Sequence, residues 1–394
     1  MDDARNRLLS WCEIDVAALA ANLAAFRALL PAGAALLFVV KANAYGHGLR
    51  LLARLAPELR VDWLGVAQLE EAAVLRAEGW SGPALLLGYV PRASLADALD
   101  LDVDLTVYDP ATIDELDRLG RARGRPARCH LKLETGTHRQ GILEEELESY
   151  LARFRSGAGL RLAGASTHFA NIEDTTDHSY ARRQLDRYRS LLARVHEAFP
   201  AATAHAACSA ALLVMPETGF AMARVGIGAY GIWPSRETLA SHAGRGEAGV
   251  RLLPALTWKT RVAQVKWIPA GAFVGYGCTH RTSRRTRLAV LPIGYADGYD
   301  RRFSDLAHVL VRGARARVIG RVCMNVAMVD VTDIPGVEAE DEVVLLGRQE
   351  SDEIKAADLA AIAQTIPYEI LSRISPDLPR LAVDGTGSVR SGPA

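Results

Sequence analysis

Lysine is scarce in this chain, although cations in general are not. The 394 residues include 46 lysines and arginines, and the only lysines are Lys41, Lys132, Lys259, Lys266 and Lys355. Because arginine is the default cation here, a lysine is less readily explained as a solubilising surface residue. The scarcity makes Lys41, which lies in the stretch LLFVVKANAYGHG, a candidate for chemistry.

Other absences exclude several classes of protein. The five cysteines are widely spaced and form no CxxC, which excludes a disulfide framework and a zinc site and favours reduced thiols in a cytoplasmic protein. A formal net charge of zero argues against a nucleic-acid partner. No apolar run approaches the ~18 residues of a membrane span, and the charged start MDDARNRLLSW lacks a signal core. We therefore expect no metal, no nucleic acid and no membrane.

Short apolar runs alternate with amphipathic stretches through the first part of the chain. Leu36–Val40 is unbroken apolar sequence, as in a parallel strand covered on both faces. The predicted strands are Leu36–Val40, Trp63–Ala67, Ala84–Gly88, Leu105–Tyr108, Cys129–Glu134, Leu162–Phe169, Thr203–Ser209 and Arg224–Ala229. Eight strands alternating with helices predict a closed (β/α)8 barrel. The alternative is an open doubly wound sheet, although the usual nucleotide-binding glycine motifs are missing.

The alternation of strand-like and helix-like segments ends at about Pro234. Ser235–Gly249 is polar and contains glycines, which predicts a linker. Beyond it, successive strand-like runs with a single helix near Lys355–Thr365 predict a mostly β domain, the first of those runs being Ala255–Trp267. The predicted domains are 1–238 for the barrel and 239–394 for the β domain, with the residues up to Cys12 packing on the latter.

Polar residues follow several of the predicted strands, where the mouth of such a barrel opens. The set comprises Lys41, Lys132, Glu134, Arg139, His168, His205, Ser209 and Arg224. A lysine held in a cleft loses its proton more easily and can form a Schiff base. Ser209 and Gly226–Ile227 would offer a hydroxyl and backbone N–H groups to a phosphate. A lysine amine and a phosphate cradle in one mouth suggest pyridoxal phosphate (PLP).

Structural explanations compete with each of these assignments. Lys41 could be a solvated lysine after a strand, the histidines could be core residues, Arg224 could form an ion pair, and Ser209 could cap a helix. In the second domain, Tyr276 lies between two glycines in AFVGYGCTH. The tyrosine could simply occupy a turn. A buried phenol near cations could instead lose its proton below its free pKa of ~10 and act as a base.

Taken together, the motifs identify a family. The sequence resembles the alanine racemases over nearly its full length, through WCEID, VVKANAYGHG, KLETGTHRQG, THFAN, CSAAL, ARVGIGAYG, GYGCT, LPIGYADGY, GRVCMN and YEILSRIS, in the family's order. The resemblance implies an isomerase that uses PLP to interconvert L- and D-alanine for peptidoglycan. It also implies a head-to-tail homodimer that shares its active sites between subunits.

The resemblance assigns roles residue by residue. Lys41 would hold PLP as a Schiff base, and Tyr276 would be the base on the opposite face, reaching into the partner's barrel. The cofactor-binding residues are then Lys41, Tyr45, His205, Ser209, Arg224, Gly226 and Ile227, with Arg224 facing the pyridine nitrogen. The substrate-binding residues are Arg139 and the backbone of Met324. The supporting residues are Lys132, often carbamylated in the family, His168, bonded to the catalytic tyrosine, and Tyr295 and Arg301, at the entrance.

Three positions depart from the family pattern. His280 replaces a usual aromatic, Asn325 replaces the aspartate of CMD, and Pro376 lies near a position where many members carry a tyrosine. These changes leave open a serine or broad-specificity racemase of the same fold. A fold-related decarboxylase lacks support because its β-domain cysteine and acidic motifs are missing. A PLP carrier without enzymatic activity would lack the β domain.

Overall fold

The computed structural model describes residues 4–244 and 249–390. The described chain forms two compact units. The barrel unit comprises Ala20–Ala44 and Leu52–Leu252. The β unit comprises the chain up to Leu19, the short segment Tyr45–Leu51, and the chain from Leu253 onward.

The first strand, β1 (Ser10–Asp15), belongs to the β unit, and the next eight form the barrel unit's sheet. Their bounds are β2 Ala35–Val39, β3 Trp63–Val66, β4 Ala84–Leu86, β5 Asp104–Val107, β6 Ala127–Lys132, β7 Leu160–Ser166, β8 Thr203–His205 and β9 Met222–Val225. All are parallel in the order β8-β7-β6-β5-β4-β3-β2-β9. Two backbone hydrogen bonds, from Ala221 to Ala204 and from Arg224 to Ala207, link the end strands and close the barrel.

Helices follow the strands and supply the outer layer expected of parallel sheets. They are Val16–Ala28, Leu49–Leu55, Leu69–Ala77, Leu95–Asp100, Pro110–Arg123, Leu147–Ser156, Ser179–Ala198, Ser209–Val214 and Arg236–Ala243. In Pro110–Arg123, local sequence sets where the helix begins and ends. Asp109 caps its first turn by accepting from the Thr112 N–H at 2.8 Å, and Gly124 ends it in the left-handed region.

The β unit is built on one large, mostly antiparallel sheet. Its further strands are β10 Leu256–Arg261, β11 Gln264–Ile268, β12 Phe273–Val274, β13 His280–Arg281, β14 Thr286–Leu291, β15 His308–Val311, β16 Ala314–Val318, β17 Ala327–Asp330, β18 Glu342–Gln349, β19 Asp352–Ile354 and β20 Arg380–Val383. The order is β11-β14-β17-β16-β15-β18-β10-β1-β20, with β19 beside β18. Strands β12 and β13 form a separate hairpin. The helices Ala356–Ala363 and Pro367–Ser372 complete the unit.

The predicted fold class, a (β/α)8 barrel followed by a mostly β domain, is confirmed. All eight predicted barrel strands are present, with bounds shifted by a few residues. The described residues contain no helix that is both long and apolar enough to cross a membrane.

Three details of the prediction are wrong. The linker Ser235–Gly249 contains the helix Arg236–Ala243, because Ser235 caps it by accepting from the Thr238 N–H; residues 245–248 lie outside the described chain. Ala255–Trp267 is two strands, since β10 and β11 pair with different neighbours. A second late helix begins at Pro367, a residue that breaks helix interiors but suits a first turn.

Candidate active site

Lys41 follows the first barrel strand and opens a backbone turn of unusual hand. Ala42, Asn43, Ala44 and Tyr45 all have φ of 52–53°, in the left-handed region. Such a conformation costs a non-glycine residue about 1–2 kcal/mol, so other contacts must offset it. The Ala44 N–H donates to the Val40 carbonyl at 2.9 Å. The turn fixes where the half-buried Lys41 side chain leaves the backbone.

Glu71 holds this turn in place, and sequence reasoning missed it. One carboxylate oxygen accepts from the Ala42 N–H at 2.6 Å, and the other accepts from the Ala67 N–H at 2.8 Å. The same carboxylate also accepts from the Gln68 N–H at the start of Leu69–Ala77. The one available signal was the Gln68–Glu71 spacing, which is typical of a capping box.

The Lys41 amine has a lowered pKa. Burial is the main cause, and the positive charge of Arg139 adds to it, while Glu71 opposes the shift. A lowered pKa increases the fraction of neutral, nucleophilic amine near neutral pH. The structure therefore places a half-buried amine of lowered pKa directly after the first barrel strand.

Arg224 is buried, and its guanidinium is held by several acceptors. Nη1 donates to the carbonyl of His205 at 2.8 Å and lies 2.9 Å from His205 Nδ1. Nη2 donates to the carbonyls of Thr167 at 2.7 Å and Ala206 at 3.0 Å, and lies 3.5 Å from His168 Nδ1. These contacts bring three predicted residues, Arg224, His205 and His168, into one cluster.

Further cations surround this cluster. The pKa of Lys132 is lowered well below its ordinary value, by burial first and then by the charges of Arg224 and Arg139. The pKa of His168 is also lowered well below its ordinary value, by burial and then by Lys132 and Arg224. Burial and the neighbouring guanidinium groups thus favour the neutral forms of both side chains. The arrangement also creates a positive field that favours an anionic ligand.

Ser209 organises the loops after β8 and β9. Its Oγ accepts from the backbone N–H groups of Gly226 at 3.0 Å and Gly228 at 3.2 Å. Ser209 begins a short helix and Ile227 begins a 3-10 turn. Gly228 is required for the close approach, because a Cβ there would lie 2.3 Å from the ring of Phe26. Ser209, Gly226 and Ile227 are therefore brought together as predicted.

Tyr276 lies at the tip of the β12–β13 hairpin in the β unit. Gly275 and Gly277, with φ of 70° and 75°, turn the backbone on either side of it. The ring is 72% exposed in the single chain, so the buried phenol considered from the sequence is not found there. At the base of the hairpin, His280 Nδ1 lies 2.9 Å from Asp305 Oδ1.

Met324 and Tyr295 are neighbours in the same unit. The Tyr295 and Ala296 N–H groups donate to the carbonyls of Cys323 at 3.0 Å and Met324 at 2.9 Å. Both residues are exposed, at 43% for Tyr295 and 57% for Met324. Arg301 is likewise exposed and begins a short 3-10 turn.

Tyr45 is accompanied by a tyrosine that sequence reasoning missed. Its ring centroid lies 6.1 Å from that of Tyr368, with the planes tilted by 50°. Tyr368 is part of the YEILSRIS motif, which was the available signal. A second phenol therefore stands beside Tyr45 even though position 376 is proline.

Within the barrel unit, these features define a class of site. A lysine of lowered pKa, a buried guanidinium and a hydroxyl with backbone N–H groups all lie at the strand ends of one parallel barrel. Among residues 4–244 and 249–390, no group of three or more His, Cys, Asp or Glu side chains is placed to hold a metal ion. The class is a (β/α)8 barrel protein with a lysine of lowered pKa and a buried guanidinium at its strand ends, joined to a mostly β unit.

Comparison with known proteins identifies the family. Residues 14–234 match the alanine racemase N-terminal domain, and residues 255–382 match the C-terminal domain. The chain is 43% identical over 372 residues to the alanine racemase of Symbiobacterium thermophilum, covering 94% of this chain and 96% of that protein. This chain belongs to the alanine racemase family.

Solved structures agree with that assignment. Bacillus anthracis alanine racemase, solved with bound L-Ala-P, has a TM-score of 0.88 at 34% identity, covering 97% of this chain and 96% of that one. Bartonella henselae alanine racemase, solved with covalently bound pyridoxal phosphate, has a TM-score of 0.83 at 26% identity, covering 95% and 100%.

Proposed function

We propose that this protein is a PLP-dependent alanine racemase that moves the Cα proton with two bases. The observation that carries the proposal is Lys41, a half-buried amine of lowered pKa at the end of the first barrel strand. The family membership supports the reaction, and the structure solved with L-Ala-P supports an alanine-sized substrate.

The residues present fit PLP. Four N–H bonds of Arg224 are donated to described acceptors, whereas its Nε–H has no acceptor among the described residues. That donor suits an unprotonated pyridine nitrogen. The Ser209, Gly226 and Ile227 loops suit a phosphate, and Lys41 suits the aldehyde. Tyr45, with Tyr368 against its ring, would add a phenol at the phosphate.

Two side chains would exchange the proton. When bound, PLP withdraws electrons and so acidifies the substrate Cα–H. Lys41 Nζ removes or returns the proton on one face, and Tyr276 Oη does so on the other. Bases on opposite faces invert the centre without any need for the substrate to turn over.

The neighbouring residues would orient the substrate and these bases. Arg139 would bind the substrate carboxylate together with the Met324 backbone. A protonated Lys132 would repel Arg139, whereas a carbamylated Lys132 would attract it; its strongly lowered pKa favours the neutral amine that reacts with CO₂. His168 would hold the tyrosine, and Tyr295 and Arg301 would narrow the entrance.

We infer a homodimer in which each site takes Tyr276 from the partner subunit. The support is the hairpin's exposure, since Tyr276 is 72% and Phe273 57% exposed. The side chains of Phe273, Tyr276 and Met328 help to line a surface cavity of about 550 Å³. Exposed aromatic clusters of this kind are typical of protein interfaces.

The role of D-alanine in peptidoglycan and a cytoplasmic location are parts of the same proposal. All five cysteines are free thiols in the structure, as expected in a reducing compartment.

Two measurements test the proposal. Purified protein given PLP should gain a visible absorption band that borohydride bleaches, and the K41A variant should not; a normal band in K41A would contradict the anchor. L-alanine, L-serine and L-lysine should then be supplied with a D-amino-acid readout. We expect alanine to be fastest, and a preference for serine would instead support the broader racemase that Asn325 and Pro376 leave open.

A further inference from the structure

A continuous line of polar side chains crosses the interior of the barrel unit. It starts at Asp104 on β5, whose Oδ2 lies 3.1 Å from His130 Nε2. His130 Nδ1 on β6 lies 2.8 Å from His205 Nε2 on β8. His205 Nδ1 lies 2.9 Å from Nη1 of Arg224 on β9. The four residues are 1–7% exposed.

The two ends of the line fix the position of every proton in it. A guanidinium only donates, so His205 Nδ1 must accept, and a carboxylate only accepts, so His130 Nε2 must donate. The remaining His205 Nε2 then donates to His130 Nδ1. Both imidazoles are therefore neutral and carry their proton on Nε2. Arg224 at one end and Asp104 at the other require the same donor-to-acceptor direction for every hydrogen bond in the line.

The fold makes specific room for this line. Barrel interiors are usually filled with branched apolar side chains, and buried polar groups are costly unless all are paired. A Cβ on Gly164 of β7 would lie 2.3 Å from His130 Nδ1, so only glycine admits the imidazole. At the outer end, Asp104 also accepts from Arg128 Nε at 2.5 Å. The line thus links an ion pair on β5–β6 to the candidate active site.

We propose that Asp104 and His130 are positioning residues that hold His205 as the acceptor for Arg224, and so fix the guanidinium toward the cofactor. The role in orienting Arg224 toward PLP rests on the proposed function. The tautomers of His130 and His205 do not depend on it. Neither Asp104 nor His130 would touch PLP or substrate. Losing them would let His205 rotate or change tautomer, and Arg224 would lose the acceptor on one side.

Two variants of His130 separate positioning from packing. His130→Asn keeps an oxygen acceptor near the place of Nδ1 but cuts the link to Asp104, whereas His130→Leu removes both. The matched control is His242→Leu, because His242 is also buried in the barrel unit and also bonded at both ring nitrogens, to Leu213 and Val250, outside the line. The affinity of each variant for PLP is measured by titration, and the variants are compared at the same fraction of folded protein.

We expect His130→Leu to weaken PLP binding about tenfold, as losses of an orienting partner commonly do. His130→Asn should recover only part of that loss, because it keeps the acceptor for His205 but not the link to Asp104; His242→Leu should bind PLP as the wild type does. Unchanged PLP binding in His130→Leu, or an equal loss in the two leucine variants, would overturn the proposal.

A second readout does not depend on PLP. In ¹⁵N NMR of the histidine-labelled full chain, His130 and His205 should both appear as neutral Nε2–H tautomers, and Asp104→Asn should disturb the His205 signal across the barrel. An Nδ1–H tautomer at either residue would refute the line. If the wild type bound no PLP while these tautomers were present, the proposed function would fail and the polar line would stand.

Discussion

At the residue scale, the protonation states of the basic side chains decide the chemistry of this site. Lys41, Lys132, His168 and Arg224 all have pKa values lowered by burial. For the lysines and the histidine, this favours the neutral forms that act as nucleophile or base. Arg224 differs because all its described partners are acceptors, which retain the protonated form. Under the proposed function, it would therefore leave the pyridine nitrogen of PLP unprotonated and the ring a weaker electron sink.

The Arg224→Glu variant tests this role of Arg224. A carboxylic acid facing the pyridine nitrogen would favour its protonation and strengthen the electron sink, so side reactions such as transamination should rise relative to racemisation. The ratio of pyruvate to D-alanine formed from L-alanine measures this. A ratio equal to that of the wild type would count against the role of Arg224.

At the element scale, the left-handed turn after β2 is maintained by one helix. Four residues in an unfavourable backbone region depend on a carboxylate supplied from Leu69–Ala77, which also caps that helix. The turn is thus coupled to the helix that follows the next strand. Local propensity alone would not choose this conformation, because Ala42, Asn43, Ala44 and Tyr45 all have a Cβ.

Replacing Glu71 with alanine should loosen the turn. Losing hydrogen bonds to a charged acceptor costs about 1–3 kcal/mol of unfolding free energy, and Lys41 should hold PLP less tightly. Urea unfolding and PLP titration measure the two effects. Glu70→Ala is the control, since Glu70 lies on the exposed side of the same helix. Equal behaviour of the two variants would show that Glu71 does not support the turn.

At the scale of the whole molecule, buried neutral histidines make folding depend on pH. The pKa of His205 is lowered well below its ordinary value by burial and then by Arg224, and the pKa of His168 is lowered in the same direction. Below about pH 6.5, the pKa of histidine in the unfolded chain, these side chains bind protons in the unfolded chain but stay neutral in the folded chain. Their contribution to stability is therefore full above that pH and is lost as the pH falls.

The unfolding free energy should accordingly decline below about pH 6.5, by up to about 1.4 kcal/mol per pH unit for each such histidine. Urea unfolding at several values between pH 5.5 and 7.5 would show the slope. His205→Gln should reduce this slope by the amount that corresponds to about one bound proton. A slope that is the same in the variant would contradict the assignment to His205.

A shared active site makes a second prediction at this scale. Neither K41A nor Y276F should racemise alanine alone. Co-refolded as a mixture, they should recover about a quarter of the wild-type activity, because half the dimers are hybrid and each hybrid has one complete site. No recovery, in a mixture that ultracentrifugation shows to be dimeric, would mean that both bases come from one chain.

Local sequence determined much of this protein. The apolar run at Leu36–Val40, the alternation of strand and helix, and the glycines around Tyr276 are short-range patterns, and they predicted the barrel, the β domain and the placement of Lys41 at a strand end. Lys132, His168, His205, Ser209 and Arg224 could be proposed together because parallel strands all end at one face of a barrel.

The tertiary structure alone decided the rest. The polar line joins residues 26, 75 and 19 positions apart along the chain, and only the closed barrel brings these side chains within hydrogen-bonding distance. The left-handed turn is likewise fixed by Glu71, 29 positions away from Ala42. A sequence shows which residues can bear charge or donate protons. Which of them share a proton depends on burial and on distances of about 3 Å, which exist only after the strands have closed.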